Sequence, residues 1–185
     1  DMRNNPSIMS DIIPIDSEIT TFSDYLNNNC RGILSARFGD GKSFFLNEVK
    51  KQLSDKYLFL TIYPVNYQVA ENKDIFEGIQ LAEDIREKVK QIFDEVIVEH
   101  AQKLVIFIDE LDRCRPSFAL EMLERLKHYF DDDRIIFVVS INKEQLTHTI
   151  SNYYGVGFDS TGYLNKFFDL EANLPALQTY DTEIQ

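Results

Sequence analysis

Residues 32 to 43 read Gly32-Ile33-Leu34-Ser35-Ala36-Arg37-Phe38-Gly39-Asp40-Gly41-Lys42-Ser43. The first four make a short apolar run of the kind that forms a buried strand. From Ser43 onward, Phe44-Phe45-Leu46-Asn47-Glu48-Val49 reads as a helix. Between them lies the pattern G-x-x-x-x-G-K-[ST], with Ala36 in the first glycine position and Gly41, Lys42 and Ser43 closing it. A strand that enters a glycine turn and leaves as a helix presents backbone N–H groups and a positive dipole end to an anion. Gly39 and Gly41 remove the Cβ atoms that would block that approach. Lys42 can reach the β- and γ-phosphates of a nucleotide, and the Ser43 hydroxyl can ligate Mg²⁺. The candidate nucleotide-binding segment therefore runs through Ala36, Arg37, Phe38, Gly39, Asp40, Gly41, Lys42, Ser43 and Phe44. The bland alternative is a chance glycine turn with a solvated lysine. A strand before it and a helix after it weigh against chance.

A second signal lies downstream. Leu104-Val105-Ile106-Phe107-Ile108 is an unbroken apolar strand that ends in Asp109-Glu110. Ligands of open α/β sheets bind at the carboxyl ends of the strands, so these carboxylates fall where a phosphate loop would present its ligand. Asp109 is the candidate holder of Mg²⁺ beside Ser43. Glu110 is the candidate base that orients and activates a water. Two adjacent carboxylates repel unless a metal is present, which fits a Mg²⁺ site. On its own the segment would be a strand ending in a solvated acidic turn, and the upstream loop changes that balance. Guanine specificity is disfavoured. Asn142-Lys143-Glu144-Gln145 has glutamine where a guanine-reading aspartate belongs, and Asp109-Glu110-Leu111-Asp112 lacks a closing glycine. ATP is the expected nucleotide.

Around these two motifs the chain alternates strand and helix. Asp16-Ser17-Glu18 offers a helix cap before Ile19, Phe22, Tyr25 and Leu26. Tyr57 through Tyr63 reads as a strand stopped by Pro64, and residues 74 to 101 read as an amphipathic helix. Pro116 opens a helix continued by Leu120, Leu123, Leu126 and Tyr129. Ile135 through Val139 is another buried strand, and a helix is expected from Lys143 to Ser151. A polar loop over 152–161, a short helix and a last strand near Phe167-Phe168-Asp169-Leu170 follow. This order predicts a three-layer α/β domain with a mainly parallel sheet.

Composition narrows the class. The 185 residues are 44% hydrophobic and 27% charged, as in a folded globular domain. Nineteen basic against 31 acidic residues give a net charge of −12, which argues against a broad nucleic-acid footprint. Cys30 and Cys114 have neither zinc-site nor disulfide spacing, so a reducing, cytoplasmic setting is expected. No apolar run reaches the roughly 20 residues that span a bilayer. Residues 1–185 read as one domain, expected to be part of a larger protein.

With these residues on the page, the chain resembles the KAP family of P-loop NTPases. The likeness rests on Phe38-Gly39-Asp40-Gly41-Lys42-Ser43 and, most specifically, on Asp109-Glu110-Leu111-Asp112-Arg113-Cys114. It continues through the helix at 121–127, the strand at 135–139 and Tyr163-Leu164-Asn165-Lys166-Phe167-Phe168. The resemblance implies an additional-strand core related to AAA+ and STAND ATPases, with five strands in the order 5-1-4-3-2. It implies a polar sensor after the fourth strand, a role that fits Ser140 or Asn142. It also puts Lys166 where relatives carry a trans-acting basic finger, with a solvated helix-end lysine as the equal alternative. Arg113 and Arg115 have three uses open to them: phosphate contact, pairing with the acidic cluster, or a subunit interface. Ile12, Ile13 and Pro14 fall where relatives build an adenine wall, or form a plain packed arm. Many relatives carry membrane segments between the two motifs. This chain has about 65 residues there and nothing of spanning length. The change of pattern at 78–81 suggests a shortened loop, and no helical lid pattern follows Pro175.

The implied function is an ATP-hydrolysing regulatory or oligomerisation switch, with a homo-oligomer and a companion or fused effector as partners. The family analogy places such switches in bacterial anti-phage defence. Two other classes compete. One is a scaffold that holds nucleotide without turning it over, which Glu110 argues against. The other is a small-molecule kinase, for which no acceptor-binding insert is visible.

Overall fold

Five strands frame the protein: β1 (Arg31–Ser35), β2 (Tyr57–Ile62), β3 (Lys103–Asp109), β4 (Ile135–Ile141) and β5 (Leu170–Asn173). In the computed structural model, which describes residues 16–28, 31–67, 84, 87, 88, 91, 103–129 and 134–174, they form one sheet in the order β2-β3-β4-β1-β5. Every neighbouring pair is parallel. This is the order 5-1-4-3-2 read from the other edge. The helices are α1 (Asp16–Asn28), α2 (Lys42–Gln52), α3 (Pro116–Tyr129), α4 (Lys143–Tyr154) and α5 (Ser160–Asn165).

The layers follow from strand periodicity. Successive side chains on a strand point to opposite faces, so a central strand covered on both sides must be apolar throughout. On β3, Leu104, Ile106 and Ile108 join one cluster with Phe118, Met122 and Leu123 of α3, Leu146 and Ile150 of α4, and Leu164 of α5. Val105 and Phe107 join the other, with Ile19, Phe22 and Leu26 of α1 and Phe45, Leu46 and Val49 of α2. β4 divides the same way: Phe137 and Val139 go to the first cluster, Ile136 and Val138 to the second. Helices thus cover both faces of the sheet.

The chain leaves β1 through α2 on one face and leaves β4 through α4 on the other, although β1 and β4 are neighbours. Such a divergence opens a crevice at the carboxyl ends of the strands. The backbone N–H of Ala36 donates to the Ile141 carbonyl at 3.2 Å, tying the two strand exits together there.

Among the boundaries that differ from expectation, β4 runs two residues further, to Ile141, and β2 ends at Ile62. The loop expected over 152–161 is shorter: α4 runs on to Tyr154, Gly155 ends it at φ 97°, and α5 begins at Ser160. The last strand starts at Leu170. Phe167 is buried in the α3–α4 cluster and Phe168 packs against it, both ahead of the strand. The arm at 12–14, Cys30, most of the stretch 74–101 with its change at 78–81, and the acidic run at 131–133 lie outside the described residues. Within that stretch Asp84, Glu87, Lys88 and Gln91 are helical.

Candidate functional site

The glycine loop joins β1 to α2. Gly39 and Gly41 both take positive φ, 91° and 79°, a region open to glycine at little cost. A Cβ placed on either would meet no atom beyond the adjoining residues within 4 Å. Glycine is therefore required by backbone conformation and leaves a cradle clear, rather than relieving a clash inside the protein. Ala36 keeps an ordinary φ, since among the described residues Glu110 alone combines a side chain with positive φ. That is why alanine can occupy the first glycine position. Asp40 closes the loop: its Oδ2 accepts from the Arg37 N–H at 2.8 Å, and its own N–H donates to the Arg37 carbonyl at 3.3 Å. Lys42 Nζ donates to the carbonyls of Ala36 (2.8 Å) and Arg37 (3.2 Å). Its ammonium thus sits over the loop, on neutral acceptors that anionic phosphate oxygens can outcompete.

Facing the loop is the end of β3. Asp109 is 3% exposed, and its Oδ1 accepts from the Glu110 N–H at 3.0 Å. Across the sheet Asp109 is in register with Ser140 of β4, whose buried hydroxyl has no hydrogen-bond partner. Glu110 then turns at φ 64° and starts a 3-10 turn, Leu111–Arg113. A non-glycine residue held in that region carries strain, a feature that concentrates at functional sites. The Glu110 carboxylate receives Arg113 Nη1 at 3.1 Å. The repulsion expected between Asp109 and Glu110 is thus offset by arginine, and no metal is needed to explain their proximity. On the far side of Asp109, Lys50 of α2 lies 5.7 Å from the Phe107 ring centroid. Burial pushes the Lys50 pKa below its ordinary value, against the opposing pull of the Asp109 charge.

These elements converge on one pocket of about 230 Å³, walled by Phe38, Gly39, Gly41, Lys42, Ser43, Phe44, Asp109, Glu110, Asp112 and Arg113. The donor set suits Mg²⁺. The Ser43 hydroxyl and the buried Asp109 carboxylate leave most coordination positions to phosphate and water, as this ion prefers. No cluster of three acidic, histidine or cysteine ligands exists among the described residues, so a metal here would need the nucleotide to complete its shell.

Residues 67–183, more than half of the chain, match the KAP family P-loop domain. The chain belongs to the KAP family. The matched stretch contains the Asp109–Cys114 segment but begins beyond the loop at 36–43, so in this KAP chain the loop stands on its own geometry. Over 79 residues the chain is also 25% identical to the phage T7 exclusion protein of Escherichia coli (strain K12), an alignment that takes in 43% of this chain and 10% of that protein. The chain thus spans about a tenth of the length of the curated relative it matches.

Other sequence candidates fall elsewhere. Asn142 spends its Oδ1 capping α4, accepting from the Gln145 N–H at 3.1 Å, and its N–H donates to Asp112 Oδ2 at 3.1 Å. Its side chain is not part of the pocket wall. Ser140, the alternative sensor, is in register with Asp109 but is fully buried and does not line the pocket either. Lys166 falls ahead of the amino-terminal end of the sheet. It precedes β5, whose first residue pairs with Gly32 near the start of β1, and its Nζ sits 5.5 Å from the Tyr163 ring centroid. It does not line its own chain's pocket, and neither do Ala36, Arg37 or Asp40. Asp112 was not singled out from the sequence. Its signal was the spacing, because one 3-10 turn after Asp109 returns residues i+3 and i+4 to the strand end. Among the described residues no helix is long and apolar enough to cross a membrane.

Proposed function

We propose that this KAP-family chain binds Mg²⁺-ATP, hydrolyses it slowly or in an oligomer-dependent way, and uses the cycle as a regulatory switch. One observation carries the reading: Lys42, Ser43, Asp109 and Glu110, from two separate motifs, wall a single pocket. Phosphates would lie over the cradle left by Gly39 and Gly41, receiving N–H groups from the start of α2. Lys42 would exchange its loop carbonyls for β- and γ-phosphate oxygens, and Ser43 and Asp109 would hold Mg²⁺. The ion would neutralise charge on the bridging phosphate oxygens. Glu110 would accept the proton of the water whose oxygen bonds to the γ-phosphorus as the β–γ bridge bond breaks.

The biological setting is analogy. A protein named for phage T7 exclusion shares part of this sequence, which supports anti-phage defence, with a companion or fused effector as the output. Lys166 does not line its own chain's pocket, which is compatible with a subunit-to-subunit role for it in a homo-oligomer, and a cytoplasmic location goes with this reading.

The test is calorimetric titration with Mg²⁺-ATP alongside phosphate release. Lys42→Ala should lose tenfold or more in affinity, about what one charge-assisted contact supplies. Glu110→Gln should still bind, with release slowed by roughly 10²–10⁴, the usual worth of a positioned base. ATP binding by Lys42→Ala equal to the parent would remove the phosphate-loop assignment. Tight binding with no turnover in any oligomer would favour the scaffold, and phosphate transfer to an added metabolite the kinase.

A further inference from the structure

Arg113 is fixed by two contacts of different chemistry. Its Nη1 forms an ion pair with Glu110 Oε1 at 3.1 Å, and its guanidinium lies over Phe38, Cζ 4.9 Å from the ring centroid. Phe38 stands on the glycine loop and is 79% exposed. An aromatic ring that exposed contributes little by burial. What it provides is a flat face for a planar cation. Through this stack the guanidinium bridges the two motifs, between the loop that carries Lys42 and the carboxylate proposed as base, and it lines the same pocket as both.

Resting on the ATP-hydrolysis reading above, we propose that Arg113 is a γ-phosphate ligand, and that its transfer from Glu110 to the γ-phosphate frees Glu110 to act as base. The exchange follows from charge and exposure. The Arg113 and Glu110 side chains are 48% and 30% exposed, and ion pairs that open to water are weak. A terminal phosphate carries more charge than a carboxylate and offers adjacent oxygens that match the guanidinium fork. ADP has no γ-phosphate, so it leaves the Arg113–Glu110 pair intact. The site thereby couples readiness of the base to the presence of the group to be attacked. Phe38 keeps the guanidinium over the loop while it changes partners.

The full-length protein should be titrated, with Mg²⁺ present, with ADP and with a β,γ-imido analogue of ATP that is not hydrolysed. The parent should prefer the analogue. Arg113→Gln should weaken the analogue by roughly tenfold or more, as loss of a charge-assisted contact predicts, and leave ADP within about twofold. Arg113→Lys should recover only part of the preference, since it keeps the charge but loses the fork and the stack. Glu110→Gln should tighten the analogue by removing the competitor for Arg113, and in that background Arg113→Gln should still weaken it. An unchanged analogue-to-ADP ratio in Arg113→Gln, or an arginine effect that vanishes in the Glu110→Gln background, would overturn the proposal and leave Arg113 as a partner of Glu110 alone. In that case parent binding lost in Lys42→Ala would leave the ATPase reading standing. Failure of the parent to bind either nucleotide would remove both. Arg113 is half exposed, so its variants should melt within a few degrees of the parent, which separates a lost contact from a lost fold.

Discussion

At Gly41 the backbone turns at φ 79° and hands the chain to α2. An L-residue in that conformation pays roughly 1–2 kcal/mol for the approach of its Cβ to the carbonyl. The protein itself leaves the space open, since no atom beyond the adjoining residues lies within 4 Å of a Cβ built there. Gly41→Ala should therefore fold, with a stability loss of about 1–2 kcal/mol. The larger effect should be on the ligand, because the new methyl projects into the cradle proposed for phosphate. Thermal melts with and without Mg²⁺-ATP separate the two effects. The parent should gain stability with ligand as mass action requires, and Gly41→Ala should gain little at any practical concentration. A ligand-induced shift equal to the parent's would mean that the phosphates lie elsewhere.

At the scale of elements, α4 shows how one side chain can be claimed by structure. Asn142 caps the helix through Gln145 N–H, and a good N-cap is worth about 1 kcal/mol. Asn142→Ala should lower the unfolding free energy by that amount, read as a lower urea midpoint with an unchanged m value. Asn142→Asp should restore it, because aspartate caps equally well and favours the positive helix end. If the alanine variant is as stable as the parent, the cap contributes nothing. The same element marks where sequence reading weakens. β3 and β4 were legible because both faces are covered and Leu104–Ile108 and Ile135–Val139 are unbroken apolar runs. β5 is an edge strand reading Leu170-Glu171-Ala172-Asn173, partly exposed and without that run. The apolar pair just before it, Phe167 and Phe168, carried the stronger signal but belongs to packing under α3. The extra length of α4 was hidden by Asn152, Tyr153 and Tyr154, all exposed, although the positive-φ Gly155 that stops the helix was visible as a glycine. In the site, residue types and spacing exposed Lys42, Ser43, Asp109 and Glu110. The pairing of Glu110 with Arg113 depends on one 3-10 turn and one rotamer, which no periodicity encodes.

For the whole molecule, the two helical layers are each fastened by a tyrosine whose proton the fold retains. On one face, Tyr163 of α5 donates to Glu124 Oε1 of α3 at 2.8 Å. Burial, then the hydrogen bond and charge of Glu124, push its pKa well above the ordinary tyrosine value. On the other face, Tyr57 at the start of β2 donates to Asn27 Oδ1 of α1, and burial, helped by Asp24, raises its pKa. A pKa raised by folding means that the folded state holds the proton more tightly than the unfolded chain. The stability tied to it is complete below the unfolded tyrosine value of about 10 and is lost as pH rises through the folded values. Lys50 has the opposite sign: its folded pKa is lowered by burial, so its contribution grows as pH rises toward the ordinary lysine value of about 10.4. Substitution separates these terms. Urea midpoints measured from about pH 8 to about pH 11 should fall steeply above pH 10 in the parent. They should fall less in Tyr163→Phe and in Tyr57→Phe, and least in the double variant. At neutral pH, Tyr163→Phe should lose about 1–2 kcal/mol, the worth of a hydrogen bond to a charged acceptor. If the alkaline slope is the same in parent and double variant, the two phenols are not what ties the layers to pH, and the loss must come from surface repulsion in a chain of net charge −12.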